Sequence, residues 1–359
     1  RSCSLLVSRV SGLRSWPPTA QAAPRSRAPL AMSLRVVGIV AALATGRLAA
    51  KPSAAEVGHG DLPATLANIS KEVAVGAASG YSEREAVEFA YLSTAAYCST
   101  GQLESWACGP ACSHVPGMQD VRRVGNRDIA AHAFVGRLRG RCVLSFRGTD
   151  SVMGWGRNLM SLVTVPYSGC EGCAVGSGFL EGYEAIAKSV RERLDDIGCG
   201  KGTPLAVTGH SSGAVLATLA IFDLGTSGYR LTTSYTFGSP RVGNAAFASA
   251  FNSRFSGLPV FRVTRSDDPT VYVPFRGQFH HVGREVFYSG STERGYRLCN
   301  GSGEDGACAG TKNSFQVGLM LLWCVNPYVC GHYRYMQPKK DGLMIRVCRS
   351  RKEQEPLFP

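Results

Sequence analysis

The sequence contains no apolar run long enough to cross a membrane. Its apolar stretches Val36–Ala44 and Val317–Val325 have nine residues each, whereas a membrane-spanning helix needs about 20. The sequence also has no internal repeat, and no long low-complexity tract outside its first 50 residues. Charged residues make up 18% of the chain and hydrophobic residues 44%, a composition that opposes general disorder and supplies a full-sized core. The 359 residues are enough for one large domain with extensions.

Acidic residues are missing from residues 1–50, which contain seven arginines. Without those seven charges the formal net charge falls from +13 to +6. Part of the remaining excess lies near the carboxyl end, where we expect residues 349–359 to form a solvated basic tail. No aromatic interleaving and no nucleic-acid motif accompany these charges, so we expect no nucleic-acid partner.

Residues 1–50 have the composition of a targeting segment. Met32 is followed by Arg35, an apolar run and then small residues up to Ala50. This is the order of the charged region, hydrophobic region and cleavage zone in a secretory signal. We therefore expect the native start at Met32, a leader over residues 1–50, and a flexible, Ala/Gly-rich lead-in over residues 51–80.

Thirteen cysteines fit this secretory interpretation. One falls in the leader, and eight of the other twelve are close in sequence, as Cys108/Cys112, Cys170/Cys173, Cys299/Cys308 and Cys324/Cys330. The CxxC at 170–173 could bind zinc, but no second CxxC or histidine pair has ligand spacing. We therefore expect local disulfides and no metal. Cys142 in a strand and Cys199 near a helix end are expected to be free thiols.

The segment at 203–224 is the most informative part of the chain. An apolar run leads into Gly209-His210-Ser211-Ser212-Gly213, and an Ala/Leu-rich segment of helical character follows. Strand, tight turn and helix are the context of a G-x-S-x-G nucleophile elbow, which holds the serine hydroxyl exposed on a strained turn. The pattern also occurs in Gly/Ser turns without chemistry, so the context is what makes Ser211 a candidate nucleophile.

Hydrophobic periodicity indicates that strands and helices alternate along the chain. Helical spacing is present at 82–97, 179–197 and 245–251, and strands are expected at 129–138, 141–146, 205–207, 231–237 and 260–264. This alternation predicts an α/β fold with a mostly parallel central sheet and helices on both faces.

A serine nucleophile needs a base to take its proton and a carboxylate to orient that base. In α/β hydrolases the acid and then the histidine follow the serine along the chain. Asp267 and Asp268 come directly after the strand at 260–264, and either could instead cap the turn before Pro269. The candidate bases are His280, His281 and His332.

Five longer segments follow one another in the chain: FRGTDSVMGWGRNL at 146–159, GSGFLEGYEAI at 176–186, GHSSGAV at 209–215, YTFGSPRVGNAAF at 235–247 and RSDDPTVYVPF at 265–275. Together they resemble the class 3 lipases, the fungal-lipase-like branch of the α/β hydrolases. The resemblance implies the α/β-hydrolase fold, with a catalytic domain at 81–348. It also implies a disulfide between Cys98 and Cys348.

The resemblance assigns roles to the candidate residues. It implies that Asp268 is the catalytic acid and that His332, in GHYRYM at 331–336, is the catalytic histidine. His280 and His281 are then structural.

The same resemblance implies an oxyanion hole made by the backbone N–H groups of Thr149 and Ser212. The family usually has leucine where this chain has Ser212. Residues 150–159 correspond to the family's lid, which covers the site in water and opens at an oil surface. Its apolar residues here are Val152, Met153 and Trp155. The alternative is an ordinary active-site loop with one anchoring tryptophan.

These features favour a serine hydrolase that cleaves carboxylic esters of lipids and needs no cofactor. Acylglycerols are the favoured substrates. The expected partners are a lipid ester and a lipid–water interface, with no stable protein partner, in the extracellular space or the endomembrane lumen. The alternatives are a phospholipase or feruloyl-type esterase on the same fold and a catalytically idle lipid-binding homologue.

Overall fold

The computed structural model describes residues 80–126, 131–149, 163–290, 294–310, 312–324, 326 and 329–336. Two compact units divide the chain, Arg1–His59 and Gly60–Pro359, and every described residue belongs to the second. The expected leader, lid and basic tail lie outside the described residues, as does the lead-in apart from Gly80. Among the described helices, none has both the length and the apolar character needed to cross a bilayer.

The described helices are α1 Glu83–Ala95, α2 Thr100–Glu104, α3 Pro110–Ser113, α4 Ser177–Asp196, α5 Ser212–Thr226, α6 Ala245–Arg254 and α7 Ser314–Trp323. The described strands are β1 Met118–Asn126, β2 Ala131–Leu138, β3 Arg141–Phe146, β4 Thr164–Pro166, β5 Ala174–Gly176, β6 Leu205–His210, β7 Ser234–Phe237, β8 Val260–Arg265, β9 Glu285–Tyr288 and β10 Arg297–Leu298.

Eight strands form one central sheet in the order β1-β2-β3-β6-β7-β8-β9-β10. Neighbours from β3 to β9 run parallel, whereas the pairs β1–β2, β2–β3 and β9–β10 are antiparallel. Strands β4 and β5 form a separate antiparallel pair. The predicted mostly parallel sheet is confirmed, and β6, which leads into Ser211, lies in its middle.

Both faces of the sheet are covered by helices, as predicted. Successive residues of a strand point to opposite faces, so Val143 and Ala206 join the apolar layer under α1. Leu144 and Val207 join the layer under α4 and α5. Helix α1 begins after Ser82, whose hydroxyl accepts from the Glu85 N–H over 3.2 Å, the N-cap that the sequence indicated.

Most predicted elements are present within one to three residues of the expected bounds. The strand expected at 231–237 is shorter, because Leu231 makes only an isolated bridge and β7 begins at Ser234. Strand β1 is additional to the prediction. Its register shifts between Gln119 and Arg122, and this shift breaks the alternation by which a half-buried strand is recognised.

Four predicted local disulfides are confirmed: Cys108–Cys112, Cys170–Cys173, Cys299–Cys308 and Cys324–Cys330. The disulfide at Cys170–Cys173 also removes the CxxC as a zinc ligand pair. Cys98 is disulfide-bonded as well. Its expected partner Cys348 lies outside the described residues, so the Cys98–Cys348 link stays a prediction.

The expectation of free thiols at Cys142 and Cys199 is wrong. These two residues form a disulfide, with their Cα atoms 5.9 Å apart and a sequence separation of 57. Helix α4 packs across β1 and β2, and its end therefore delivers Cys199 to the start of β3, where Cys142 lies. This contact between the helix end and the strand forms only in the tertiary structure, so no local sequence pattern predicts it.

Candidate active site

The turn between β6 and α5 has the geometry of a nucleophile elbow. Ser211 has φ 61° and ψ −131°, a conformation that costs a non-glycine residue about 1–3 kcal/mol. Its backbone N–H donates to the carbonyl of Phe237 over 2.9 Å, which ties the turn to β7. The strain is therefore held by a strand that is already fixed in the sheet.

The two glycines of the elbow are required by close backbone approach. A Cβ on Gly209 would collide with the carbonyl of Gly213, and a Cβ on Gly213 would collide with the carbonyl of Phe146 at the end of β3. The helix can therefore begin directly against the sheet edge. This packing supports the turn that presents Ser211.

Asp268 and His332 are brought together, although 64 positions separate them. His332 Nδ1 lies 3.0 and 2.9 Å from the two carboxylate oxygens of Asp268, and both side chains are fully buried. Asp268 follows β8 at the same sheet edge as Ser211, and His332 lies in the short 3-10 turn Gly331–Tyr333. An ionised carboxylate only accepts, so Nδ1 carries the proton and Nε2 keeps a free lone pair.

Thr270 and Tyr335 also hold the carboxylate. The Thr270 N–H and hydroxyl donate to Asp268 Oδ1 over 2.8 and 2.6 Å, and the Tyr335 hydroxyl donates to Oδ2 over 2.7 Å. Burial alone would raise the pKa of Asp268, but the charge of His332 and the hydrogen bonds from His332, Thr270 and Tyr335 lower it. The carboxylate is therefore ionised near neutral pH.

His210, just before the serine, anchors the backbone of His332. Its Nε2 lies 2.8 Å from the carbonyl oxygen of His332 and must donate to it, so Nδ1 accepts from the Tyr97 hydroxyl at 2.9 Å. Burial, followed by the charge of His332, lowers the pKa of His210 to about 3. A neutral His210 thus fixes the loop of His332 against the elbow.

Ser211 Oγ and His332 Nε2 are both buried and carry no hydrogen bond within the described part of the chain. The ring of His332 lies 4.5 Å, centroid to centroid, from the ring of His210, the residue before the serine. Orphaned buried polar atoms are rare and point to function. Here they are the two atoms between which a catalytic serine and its base would exchange a proton.

The two oxyanion-hole candidates contact each other directly. The Thr149 N–H donates to Ser212 Oγ over 3.0 Å, while the Thr149 hydroxyl is buried without a partner among the described residues. Ser212 is the first residue of α5, where backbone N–H groups have no acceptor within the helix. One candidate donor is therefore occupied by a side-chain oxygen in this structure.

The remaining candidates lie elsewhere. Asp267 pairs with Arg265 through two contacts of 2.9 Å, and His281 Nε2 lies 2.8 Å from the carbonyl of Val271. Burial lowers the pKa of His281 well below its usual value, which keeps this histidine neutral. His280 Nδ1 lies 2.8 Å from a neighbouring backbone carbonyl.

One group of potential metal ligands occurs among the described residues: Glu285, Cys299 and Cys308. The two cysteines are joined in a disulfide, so they offer no thiolate to a metal. The lid candidates Val152, Met153 and Trp155 lie outside the described residues, and the lid stays a prediction.

The central sheet, the helices on both faces and the strained serine after β6 define an α/β-hydrolase fold. Residues 143–278 match the family model described as lipase (class 3). The triacylglyceride lipase of Rhizomucor miehei superposes with a TM-score of 0.57 at 26% identity, over 66% of this chain and 92% of that one.

Curated relatives give the same family. A secreted mono- and diacylglycerol lipase A of Penicillium cyclopium is 33% identical over 162 residues, which are 45% of this chain and 52% of that protein. A chloroplastic phospholipase A(1) of Arabidopsis thaliana is 34% identical over 174 residues, 44% of this chain and 36% of that protein. The chain thus spans at most about half the length of these two relatives. The family model, these relatives and the superposed lipase together support a class 3, fungal-lipase-like family for this chain.

Proposed function

We propose that this protein is a serine hydrolase that cleaves carboxylic esters of lipids, with acylglycerols as the first substrates to test. One observation carries the proposal: a buried Asp268–His332 pair leaves His332 Nε2 without a partner at the sheet edge that presents the strained Ser211. This is the arrangement in which a histidine can activate a serine.

In the proposed reaction, Ser211 Oγ attacks the ester carbonyl while His332 Nε2 takes the hydroxyl proton. Asp268 stabilises the imidazolium that forms, and His332 then gives the proton to the departing alcohol. Water repeats the sequence on the acyl-enzyme and releases the fatty acid. Since Ser211 and His332 share no hydrogen bond in this structure, Ser211 Oγ and His332 Nε2 must come within hydrogen-bond distance before attack.

The negative charge on the tetrahedral intermediate is assigned to the N–H groups of Thr149 and Ser212. Such donors are worth about 2.7–4 kcal/mol each in related chemistry. Because the Thr149 N–H now donates to Ser212 Oγ, that bond must break as the oxyanion forms. The Thr149 hydroxyl is also buried and unpaired among the described residues.

The names of the relatives support the substrate class. The Penicillium relative is a mono- and diacylglycerol lipase, and a Fusarium solani relative with the same description is 31% identical over 203 residues. A phospholipase A1 activity is the second candidate, because the Arabidopsis relative is a phospholipase A(1).

Action in an oxidising compartment is part of the proposal. The five disulfides between described cysteines are typical of secreted and lumenal proteins. The Penicillium and Fusarium relatives are both described as secreted.

The test compares initial rates on p-nitrophenyl butyrate, a diacylglycerol, a triacylglycerol and phosphatidylcholine. Ser211→Ala should lower kcat by several orders of magnitude and abolish labelling by a fluorophosphonate probe. The adjacent acids form a matched pair: Asp268→Asn should lower kcat by about 10³–10⁴-fold, whereas Asp267→Asn should retain most of it. Lipid binding without turnover would identify an idle homologue, and a preference for phosphatidylcholine would select the phospholipase.

A further inference from the structure

From Val317 to Trp323 helix α7 carries no polar side chain, yet only one side of it is packed. Val317 is fully buried, and Met320 and Leu321 pack partly against the same core. A soluble surface helix normally turns charged or polar residues outward. Between Lys312 and Arg334, however, the chain has no Asp, Glu, Lys or Arg.

The outward side carries a cluster of exposed apolar residues, here called the α7 patch. Phe315 is 74% exposed, Trp323 73% and Leu322 65%, and the patch is completed by Leu319 and by Val329 in the following loop. Of the large apolar side chains that are exposed in the described part of the chain, one other, Val163, lies elsewhere. Single exposed apolar residues are ordinary, but a cluster marks an interaction surface.

The patch is rigidly built. The side chain of Asn313 accepts from the Gln316 N–H, and the side chain of Gln316 accepts from the Asn313 N–H, each over 3.0 Å, which closes a capping box at the start of α7. The disulfide Cys324–Cys330 joins the residue that ends α7 to the residue that begins the turn Gly331–Tyr333. The exposed side chains therefore belong to an ordered element.

The patch is also tied to the candidate active site at both ends. Helix α7 packs against the 3-10 turn Pro269–Tyr272, whose N-cap is Asp268. Its carboxyl end leads through Cys330 directly into His332. A surface that docks on the patch is thereby held next to the elements that carry the acid and the histidine.

From this placement we propose that the α7 patch docks on the surface of a neutral glycerolipid aggregate and holds the active site against it. The choice of a lipid partner rests on the proposed function. Helix α7 has ten residues, about 15 Å at the usual rise, so it lies in the interface and does not span it. Phenylalanine, leucine and tryptophan on one side are the side chains that interfacial helices bury among acyl chains.

A second copy of the chain is a weaker candidate for the partner. Large aromatic side chains bury about 150–250 Å² each, and at the observed exposures the patch offers on the order of 600 Å², below the roughly 800 Å² per partner of a stable protein–protein interface. The flanking cations Lys312 and Arg334 also oppose a second copy, whose patch would be flanked by the same two positive charges.

The experiment measures binding of the full chain to vesicles of phosphatidylcholine by flotation. It uses Ser211→Ala protein, so that the vesicles are not consumed. Adding Leu322→Gln and Trp323→Gln together should weaken partitioning at least tenfold, with an unchanged melting temperature. Gly318→Ala on the same exposed side should leave partitioning intact. Val163→Gln, which removes the exposed apolar residue outside the patch, should also have little effect.

Three outcomes would overturn the proposal. The first is partitioning that depends on Val163 and not on Trp323. The second is the absence of vesicle binding by the parent protein. The third is a dimer in lipid-free solution that Leu322→Gln and Trp323→Gln dissociate, which would assign the patch to a second copy.

A parallel assay separates this proposal from the proposed function. With Ser211 intact, Trp323→Gln should leave kcat/KM on soluble p-nitrophenyl butyrate within twofold of the parent and lower the rate on an emulsified acylglycerol several-fold. If the parent binds vesicles through α7 and cleaves no ester, the proposed function fails and the docking surface stands. If esters are cleaved and vesicle binding ignores α7, the docking surface alone fails.

Discussion

Replacing Ser212 by alanine should raise esterase activity, because the Ser212 hydroxyl occupies a donor that the transition state needs. The Thr149 N–H donates to Ser212 Oγ over 3.0 Å and must leave that oxygen to bind the oxyanion. A hydrogen bond of this kind is worth about 0.5–1.5 kcal/mol net, a rate factor of about 2 to 12. The variant keeps the backbone N–H of residue 212, so both proposed donors remain.

Two measurements check this prediction. The first is kcat/KM on p-nitrophenyl butyrate, a soluble ester that avoids any contribution from lipid docking. The second is the affinity for an alkylboronic acid, whose tetrahedral adduct with Ser211 places an oxygen where the oxyanion forms. Both should improve by a similar factor in Ser212→Ala. Ser212→Thr retains the hydroxyl and serves as the control that should stay near the parent.

The opposite result has a distinct meaning. A fall in kcat/KM with an unchanged melting temperature would show that the Ser212 hydroxyl itself donates to the oxyanion. Equal values of kcat/KM in Ser212→Ala and the parent protein would show that the hydrogen bond from the Thr149 N–H to Ser212 Oγ does not slow the reaction. Either result refutes the reasoning from the 3.0 Å contact.

Three further predictions concern stability and positioning. Removing the Cys142–Cys199 disulfide by paired serine substitutions should lower the free energy of unfolding by up to about 4 kcal/mol for a closed loop of 57 residues, as measured by denaturant titration; an unchanged midpoint would mean that the pair does not form in solution. Burial alone would raise the pKa of Glu304, but its hydrogen bonds and ion pair with Arg241 lower it to about 2. The ionised Glu304 therefore stabilises the fold above its unfolded-state pKa, and this stabilisation is lost as the pH falls from about 4.5 toward 2. In Glu304→Gln the free energy of unfolding, measured by denaturant titration, should depend less on pH in that window than in the parent. Tyr335→Phe removes the 2.7 Å hydrogen bond to Asp268 and should lower kcat about tenfold or more, since bonds to charged groups are worth about 1.5–3 kcal/mol; a wild-type kcat would assign Tyr335 to packing.

The sheet and the elbow could be predicted from sequence because their signals are local. A run such as Leu205–His210 followed by a glycine-flanked serine and an apolar helix has one common structural meaning. The motif requires a strained serine and a glycine where two backbones approach closely, and the structure shows both: Ser211 has φ 61°, and Gly213 packs against the end of β3. The parallel pairing of β6 with β3 and β7 agrees with the mostly parallel sheet that the alternation of strands and helices predicted.

The partners of Asp268 could be predicted only in part. The family resemblance implied the pairing with His332, but periodicity and spacing left Asp267 equally open. The contacts from Thr270 and Tyr335 depend on where two distant loops meet, so no local signal reports them. The Cys142–Cys199 bond was missed for the same reason, although counting would have helped: once the other cysteines are paired, these two remain.

The carboxylate of Asp268 has all of its hydrogen bonds, whereas the unpaired polar atoms of the site belong to His332, Ser211 and Thr149. A carboxylate has about four acceptor positions. Here the donors are His332 Nδ1, the Thr270 N–H and hydroxyl, and the Tyr335 hydroxyl. The acid is thus held in one orientation by protein groups alone, and through it the ring of His332 is fixed. The buried atoms without a hydrogen-bond partner are those that the proposed mechanism places nearest the substrate: His332 Nε2, Ser211 Oγ and the Thr149 hydroxyl. Under the proposed mechanism, the bound ester would supply the hydrogen-bond partners that Ser211 and Thr149 lack in this structure.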